Sequence, residues 1–363
     1  MREMEETART DKRELQSAPA DTFPLCADYG RDVPESWLRE TAPIVLDLLI
    51  ADRSARRNIL WCTNDYADRG EGFRFGDEIT PALICNEPII RPRVDKRIEE
   101  QKARVAAKGE VFTPAWVCNA QNNLVDQAWF DAKDIFNTVD VSGREWAPTP
   151  HDALWKIVGK NAKAREYISL VRLEVACGEA PYLTSRYDAA TGVSIPVCRR
   201  IGLLDRKLRL VSDIAASIGK WIDGAGAALK SLYAYDWQGD NVLLARENLL
   251  FATLEAFAKR WPDVPCISTS VVESFASVIS WNVFQMDGLK CVVPCSCHEE
   301  SSPPQPPSLE LGDSPEAPAP LPCPGCATGD HSLHNGIRPV VIDWSKPDFE
   351  PRSTPFTELF PKP

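Results

Sequence analysis

The sequence lacks any run of eighteen apolar residues, and it opens with the charged segment MREMEETARTDKRELQ rather than an apolar one. A membrane-spanning helix needs about twenty consecutive apolar residues, and a secretion signal needs an apolar segment near the N-terminus. We therefore expect no membrane partner and no export, and we predict a cytoplasmic location.

Positive charge is also scarce. The chain has 41 lysines and arginines against 52 aspartates and glutamates, and its formal net charge is -11. Proteins that coat nucleic acid by bulk electrostatics have the opposite balance, so a general DNA-packaging role is excluded. A local basic groove remains compatible with this total. Two basic stretches, 91–108 and 199–209, can contact phosphates, although a solvated surface is the commoner meaning of such stretches.

The motifs of two common enzyme classes are missing. Only four histidines occur, and three of them lie in a cysteine-rich region near the C-terminus. Only His151 remains for a Ser-His-Asp catalytic triad, so the sequence gives no support for such a triad. No G-x-G-x-x-G run occurs, and this absence disfavours a dinucleotide-dependent hydride-transfer enzyme.

What is present is typical of a folded α/β protein. Of the 363 residues, 44% are hydrophobic and 26% are charged, as in globular domains. The segments ISLVRLEVAC, SLYAYD and ISWNVFQMD predict three apolar strands, and helical segments separate them. Such alternation is typical of a parallel sheet that is covered on both faces. The predicted fold is therefore α/β, with a doubly wound, mostly parallel sheet.

Composition divides the chain into five predicted parts. A segment with eight prolines in twenty-two positions disfavours both helix and strand and predicts a loop within the cysteine-rich region. The parts are a disordered tail (1–30), a mixed helix and strand region (31–108), the α/β domain (109–290), a zinc-knuckle insertion (291–336, with its loop at 301–322), and a terminal strand and tail (337–363).

The segment LEVACGEAPYL places small residues, including Gly178, at the end of an apolar strand. A ligand can approach the backbone closely at such a position, so the segment predicts a nucleotide-binding loop. An ordinary strand-to-turn corner with a glycine explains the same pattern equally well.

Two acids and a helix start complete the candidate site. Asp236 ends the second strand, where a carboxylate can accept hydrogen bonds from both ribose hydroxyls of a nucleoside. Asp287 ends the third and can receive an adenine amino group, although a solvated loop aspartate gives the same pattern. Thr113 and Pro114 predict an N-cap and a first turn for a helix through Phe130, whose free backbone donors can meet the polar end of a ligand.

Taken in order, these four segments resemble the S-adenosylmethionine-binding half of N6-adenine DNA methyltransferases, in particular the modification (M) subunits of bacterial restriction systems. The resemblance extends over about residues 32–345. It implies a methyltransferase-type sheet, S-adenosylmethionine as the cofactor and double-stranded DNA as a partner. The implied cofactor-binding residues are Phe112, Thr113, Pro114, Glu174, Cys177, Gly178, Asp236, Asp287 and Leu289.

The chain departs from that family in three places. Ala180 stands where a second glycine is usual, and 58 residues separate Gly178 from Asp236 where about twenty are usual. The third departure is the absence of the N/D/S-P-P-aromatic turn that holds a flipped adenine. Catalytic residues are therefore unknown, and the implied partner is a second subunit with that turn or a restriction nuclease. The alternative is a non-catalytic, zinc-stabilised DNA-binding or recognition subunit of a defence complex.

Five of the twelve cysteines lie between Cys291 and Cys326. The pair in CPGC has the two-residue spacing that is typical of tetrahedral zinc, and a closed four-ligand site is structural. Adjacent ligands are geometrically awkward, so Cys295 is an alternative ligand, His331 and His334 are further candidates, and a thiol cluster without metal remains open. The predicted ligands are Cys297, His298, Cys323 and Cys326.

Overall fold

The computed structural model describes residues 21–108, 113–300, 321–347 and 352–358. The helices are α1 (Glu35–Thr41), α2 (Pro43–Ile50), α3 (Pro81–Ile84), α4 (Ile98–Lys108), α5 (Ala115–Phe130), α6 (His151–Val158), α7 (Asn161–Ile168), α8 (Leu203–Ile214), α9 (Ile218–Lys230), α10 (Gly239–Arg260), α11 (Thr269–Asn282) and α12 (Pro324–Thr328). The strands are β1 (Thr22–Pro24), β2 (Ala51–Asp52), β3 (Arg57–Asn58), β4 (Asn137–Val139), β5 (Trp146–Pro148), β6 (Arg172–Val175), β7 (Leu232–Asp236), β8 (Cys266–Ser268), β9 (Val283–Gln285), β10 (Val340–Ile342) and β11 (Ser353–Pro355).

The central sheet consists of three strands that lie within the three predicted segments but are shorter than predicted. In the third segment Ile279–Asn282 belong to helix α11, and in the first Ile168 ends helix α7. Strands β6, β7 and β9 pair in parallel, in that order, with Leu173 opposite Tyr233 and Ala234 opposite Val283. The other strands are two or three residues long and pair as separate antiparallel couples. The prediction of a mixed α/β chain with a parallel sheet is confirmed, but the described ranges contain no closed, doubly wound methyltransferase sheet.

Helix α10 lies at the centre of the molecule and is buried on all sides from Gly239 to Phe257. The buried side chains of Asp240, Arg246 and Glu255 have partners, as charges removed from water require. The Arg246 guanidinium donates to the carbonyls of Val283 and Ala51 at 2.8 and 3.0 Å. This helix therefore joins the sheet to the N-terminal helices. No helix in the described ranges is long and apolar enough to cross a membrane.

Two local expectations need correction. Helix α5 begins and ends close to its predicted bounds, but its N-cap residue is Pro114 and not Thr113, and the Asp188 carboxylate accepts the Ala115 N–H at 2.8 Å. Strand β1 falls within the range 1–30 that was expected to be a disordered tail. It pairs with β8, and Phe23 is fully buried.

Two buried carboxyl groups, those of Glu35 and Glu247, lie near the half-buried carboxyl group of Asp32. Burial raises the pKa of Glu35 to about 8 and that of Asp32 to about 6. Burial, followed by the nearby charges of Glu35 and Asp32, raises the pKa of Glu247 well above its usual value, and Glu247 Oε1 has no hydrogen-bond partner. The folded state therefore holds protons that the unfolded chain releases above pH 5.

We expect the free energy of unfolding to fall as the pH rises from 5 to 9, because the folded pKa values lie above the unfolded ones. Replacing Glu247 with glutamine should raise stability at pH 8 and flatten this profile. Thermal unfolding at several pH values measures both effects. The control is Glu166→Gln, an exposed site on α7. A profile that Glu247→Gln leaves unchanged contradicts the assignment.

Gly239 begins α10 where the chain segment at Leu60 and Trp61 crosses it. Its N–H donates to the Trp61 carbonyl at 3.2 Å, and an added Cβ would lie 2.1 Å from the Leu60 carbonyl oxygen. We expect Gly239→Ala to lower the free energy of unfolding by about 2 kcal/mol or more. Gly226→Ala on α9 is the control, because nothing lies within 4 Å of its added Cβ; it should stabilise by about 0.5–1 kcal/mol. Equal melting temperatures for the two variants would show that this contact is dispensable.

Candidate cofactor site and metal centre

The carboxyl ends of β6, β7 and β9 lie side by side because the three strands are parallel and adjacent. The residues predicted to bind a nucleoside follow these ends directly. Met286 N–H donates to the Asp236 carbonyl at 3.0 Å, which holds the end of β9 against the end of β7. The edge of the sheet thus brings together the predicted glycine loop, Asp236 and Asp287.

Gly178 and Asp236 are in direct contact. The Gly178 N–H donates to Asp236 Oδ2 at 2.9 Å, and the Gln238 N–H donates to Oδ1 at 3.0 Å. Burial raises the pKa of Asp236, whereas these two N–H groups oppose that shift. Oδ2 accepts only this one bond among the described contacts, and a carboxylate oxygen has two lone pairs. The carboxylate therefore retains acceptor capacity at the edge of the sheet.

The loop after β6 has a left-handed backbone at three positions. Ala176, Gly178 and Ala180 have φ angles of 50°, 53° and 60°. Glycine adopts this region without cost, whereas alanine is strained there. Ala180, the position where the resembling family usually has glycine, thus keeps the glycine-like conformation.

Glu174 fixes this loop from inside. Its carboxylate accepts the N–H groups of Tyr182 and Leu183 at 3.3 and 3.2 Å, and burial raises its pKa to about 8. Cys177 is buried, and burial raises the pKa of its thiol well above the usual value. A thiol in that state is a poor nucleophile, so Cys177 is a packing residue of the loop.

The start of α5 lies against the same loop. Asn122 on α5 donates to the Tyr182 carbonyl at 3.0 Å, and the Tyr182 hydroxyl contacts the Thr113 side chain. Thr113 therefore adjoins the glycine loop, and Pro114 follows it at the start of α5. Phe112 lies outside the described residues.

Asp287 is a structured turn residue rather than a freely solvated one. It accepts the N–H groups of Leu289 and Lys290 at 3.0 Å each. Leu289 projects outward from this turn with 90% of its surface exposed. A carboxylate can bind the polar edge of a heteroaromatic ring, and a neighbouring apolar side chain can pack against the face of that ring.

Several residues that support this edge were not found from the sequence. The buried Gln285 amide accepts from the Leu60 N–H at 2.9 Å and donates to the Trp237 carbonyl at 2.8 Å. Lys96 and Arg104 each pair with the buried Asp240 carboxylate, at 3.1 and 2.9 Å. Part of the basic stretch 91–108 is therefore tied to α10. In the sequence, the polar or charged character of these residues was the one indication of their hydrogen bonds and ion pairs.

The cysteine-rich region brings four metal-ligating side chains together. The Sγ atoms of Cys297, Cys323 and Cys326 lie 3.5, 3.6 and 3.7 Å from Nδ1 of His334. A tetrahedral zinc ion with ordinary Zn–S and Zn–N bonds separates sulfur from nitrogen by about 3.6 Å. All four ligand atoms lie within 4.8 Å of one another. This cluster can hold a metal ion, and its geometry fits structural zinc.

The surrounding chain is shaped for this cluster. A Cβ on Gly325 would lie 2.5 Å from the His334 ring, so CPGC needs its glycine. Burial opposes a charge on Cys323, but the N–H groups of Asn335 and Cys326 and the His334 side chain outweigh it and lower the pKa to about 6. A thiolate at Cys323 is the protonation state that binds metal.

The fourth ligand of the cluster is His334 and not the predicted His298, which corrects that expectation. His298 is exposed, and its N–H donates to the Asn335 side chain at 3.1 Å. Because His298 directly follows Cys297, the His298 side chain points away from the cluster that the Cys297 thiol faces. His334, one of the further candidates, is buried against all three thiols.

Comparisons with known proteins give no further guide to identity. The chain matches no protein-family model, no curated protein and no solved structure.

Proposed function

We propose that this chain is the S-adenosylmethionine-binding part of a site-specific DNA adenine N6-methyltransferase from a cytoplasmic restriction-modification system. The contact between Gly178 and Asp236 at the ends of adjacent parallel strands is the observation that carries this proposal. In open α/β sheets, ligands bind in the crevice outside the carboxyl ends of the strands. The proposal treats the three-stranded sheet as the core of a doubly wound methyltransferase sheet.

Each residue has a distinct role in this proposal. The Asp236 carboxylate accepts the ribose hydroxyls, and the left-handed loop at Gly178 lets the ligand approach the backbone. Asp287 accepts the adenine amino group while the exposed Leu289 covers the face of the ring. Thr113, which adjoins the loop, meets the polar methionine end. S-adenosylmethionine, when bound, supplies a methyl group on a positively charged sulfonium.

The chain contains no N-P-P-aromatic turn to hold a flipped adenine. We therefore propose that a second subunit carries this turn, and that double-stranded DNA binds to the assembled enzyme. The zinc centre follows β9 and Asp287 closely, and Arg57 on β3 donates to the Pro294 carbonyl at 2.9 Å. In this proposal the zinc fixes the turn at Asp287 and takes no part in the chemistry.

Equilibrium dialysis with methyl-labelled S-adenosylmethionine and an adenine-containing duplex tests the proposal. The chain alone should bind about one cofactor and transfer no methyl group to the DNA. Duplex binding without cofactor binding would instead favour the second candidate, a zinc-stabilised DNA-binding or recognition subunit, for which the Cys/His cluster is the supporting observation.

A further inference from the structure

We propose that a second site on this protein, a cavity between α8 and the C-terminal end of α10, binds a phosphate group. The cavity has a volume of about 280 Å³, and residues near β4 and β5 close its side. It lies sixteen residues along α10 from Asp240, which corresponds to about 24 Å. It is therefore separate from the edge of the sheet, and the inference does not rest on the proposed function.

Basic side chains outnumber acidic ones in the lining. Two acids, Asp205 and Asp213, face five cations. Asp205 already accepts the N–H groups of Ser185 and Gly202, and Asp213 accepts the Trp155 indole N–H. The five cations are Arg200, Arg206, Arg209, Lys259 and Arg260.

One buried guanidinium in the lining has an unused donor. Arg200 has a side chain only 4% exposed, and its Nη2 pairs with Glu255 at 2.6 Å. Its Nη1 is buried and has no hydrogen-bond partner. A buried donor without a partner is destabilising, so an acceptor in the cavity would recover stability.

Three further cations make no salt bridge within the described ranges. They are Arg209, Lys259 and Arg260, of which Lys259 and Arg260 are exposed. Arg209 donates to the carbonyls of Phe136, at 2.9 Å, and Thr149; burial lowers its pKa, and the nearby Asp213 charge opposes that shift. The exposed positive charge of Lys259 and Arg260 at the mouth of the cavity can attract an anion.

The lining of the site favours a phosphate group. Guanidinium groups bind phosphate oxygens with paired hydrogen bonds, and the cavity volume accommodates such a group. Apolar residues such as Phe136, Val197 and Leu208 complete the wall. The phosphate can belong to a free mononucleotide or to the backbone of a nucleic acid.

Calorimetric titrations at low ionic strength with inorganic phosphate, AMP and a short DNA duplex test this site. Two variants probe it: Lys259→Ala/Arg260→Ala at the exposed mouth, and Arg200→Lys, which keeps the ion pair with Glu255 but removes Nη1. Each should weaken binding at least about tenfold. The control, Lys133→Ala/Lys220→Ala, removes the same charge from exposed sites elsewhere.

The three probes also identify the source of the phosphate. Binding of phosphate and AMP that both variants weaken supports a site for a free phosphorylated ligand. Binding of the duplex alone, with the same dependence on both variants, supports a nucleic-acid phosphate. Absence of binding for all three probes, or binding that the control weakens as much as the two variants do, overturns the proposal.

Discussion

Replacing His334 with alanine is expected to abolish metal binding and to unfold the region that the cluster closes. Nδ1 of His334 lies within 3.7 Å of all three thiol sulfur atoms. Structural zinc supplies much of the folding energy of small knuckles, about 10–16 kcal/mol in isolated zinc fingers. We therefore expect the zinc content to fall from about one equivalent to near zero, and the melting temperature to fall by several degrees.

The matched control is His298→Ala, an exposed histidine beside Cys297. It should keep its zinc and its melting temperature, because its side chain is not part of the cluster. Elemental analysis of protein purified without added zinc measures the metal directly. A His334 variant that retains a full equivalent, or a His298 variant that loses it, contradicts the ligand set.

Replacing Asp236 with alanine is expected to weaken S-adenosylmethionine binding by about two to three orders of magnitude. Hydrogen bonds to a charged group are worth about 1.5–3 kcal/mol each, and a ribose offers two hydroxyls. The variant also leaves the Gly178 N–H without its acceptor, so a modest loss of stability should accompany the loss of affinity. Asp236→Asn keeps the shape of the side chain and one acceptor, so it should lose less affinity and less stability than Asp236→Ala.

Asp140→Ala is a suitable control for this prediction. Asp140 also accepts a backbone N–H, that of Glu145 at 3.1 Å, but it is exposed in the β4–β5 hairpin. The Asp140→Ala variant should bind the cofactor with the same affinity as the wild type. If Asp236→Ala remains folded and binds the cofactor as well as the wild type does, the ribose assignment is wrong.

Much of the site was predictable because it depends on strand order. Apolar segments that end at Cys177, Asp236 and Asp287 predicted three strands, and alternation with helices predicted that they run in parallel. Parallel neighbours place their carboxyl ends together, so the proximity of Gly178 and Asp236 was expected from the sequence despite the 58 residues between them, whereas their direct hydrogen bond was not. A glycine or an acid at the end of a strand can be recognised from the local sequence, because its position does not depend on contacts with distant segments.

The remaining features depend on contacts between distant segments, which a single sequence does not encode locally. The acceptor for the Ala115 N–H at the start of α5 is Asp188, 73 residues away, and not the adjacent Thr113. His334 reaches the thiols because Gly325 leaves room for its ring, whereas the nearer His298 is turned outward. The Gln285 amide links three chain segments and has no sequence pattern of its own.

Calorimetric titration of the zinc-loaded wild-type chain with S-adenosylmethionine tests the central claim most directly. The account predicts a saturable heat with about one cofactor bound per chain, without DNA or any second subunit. A folded, zinc-loaded protein that gives no saturable heat at millimolar cofactor would contradict it.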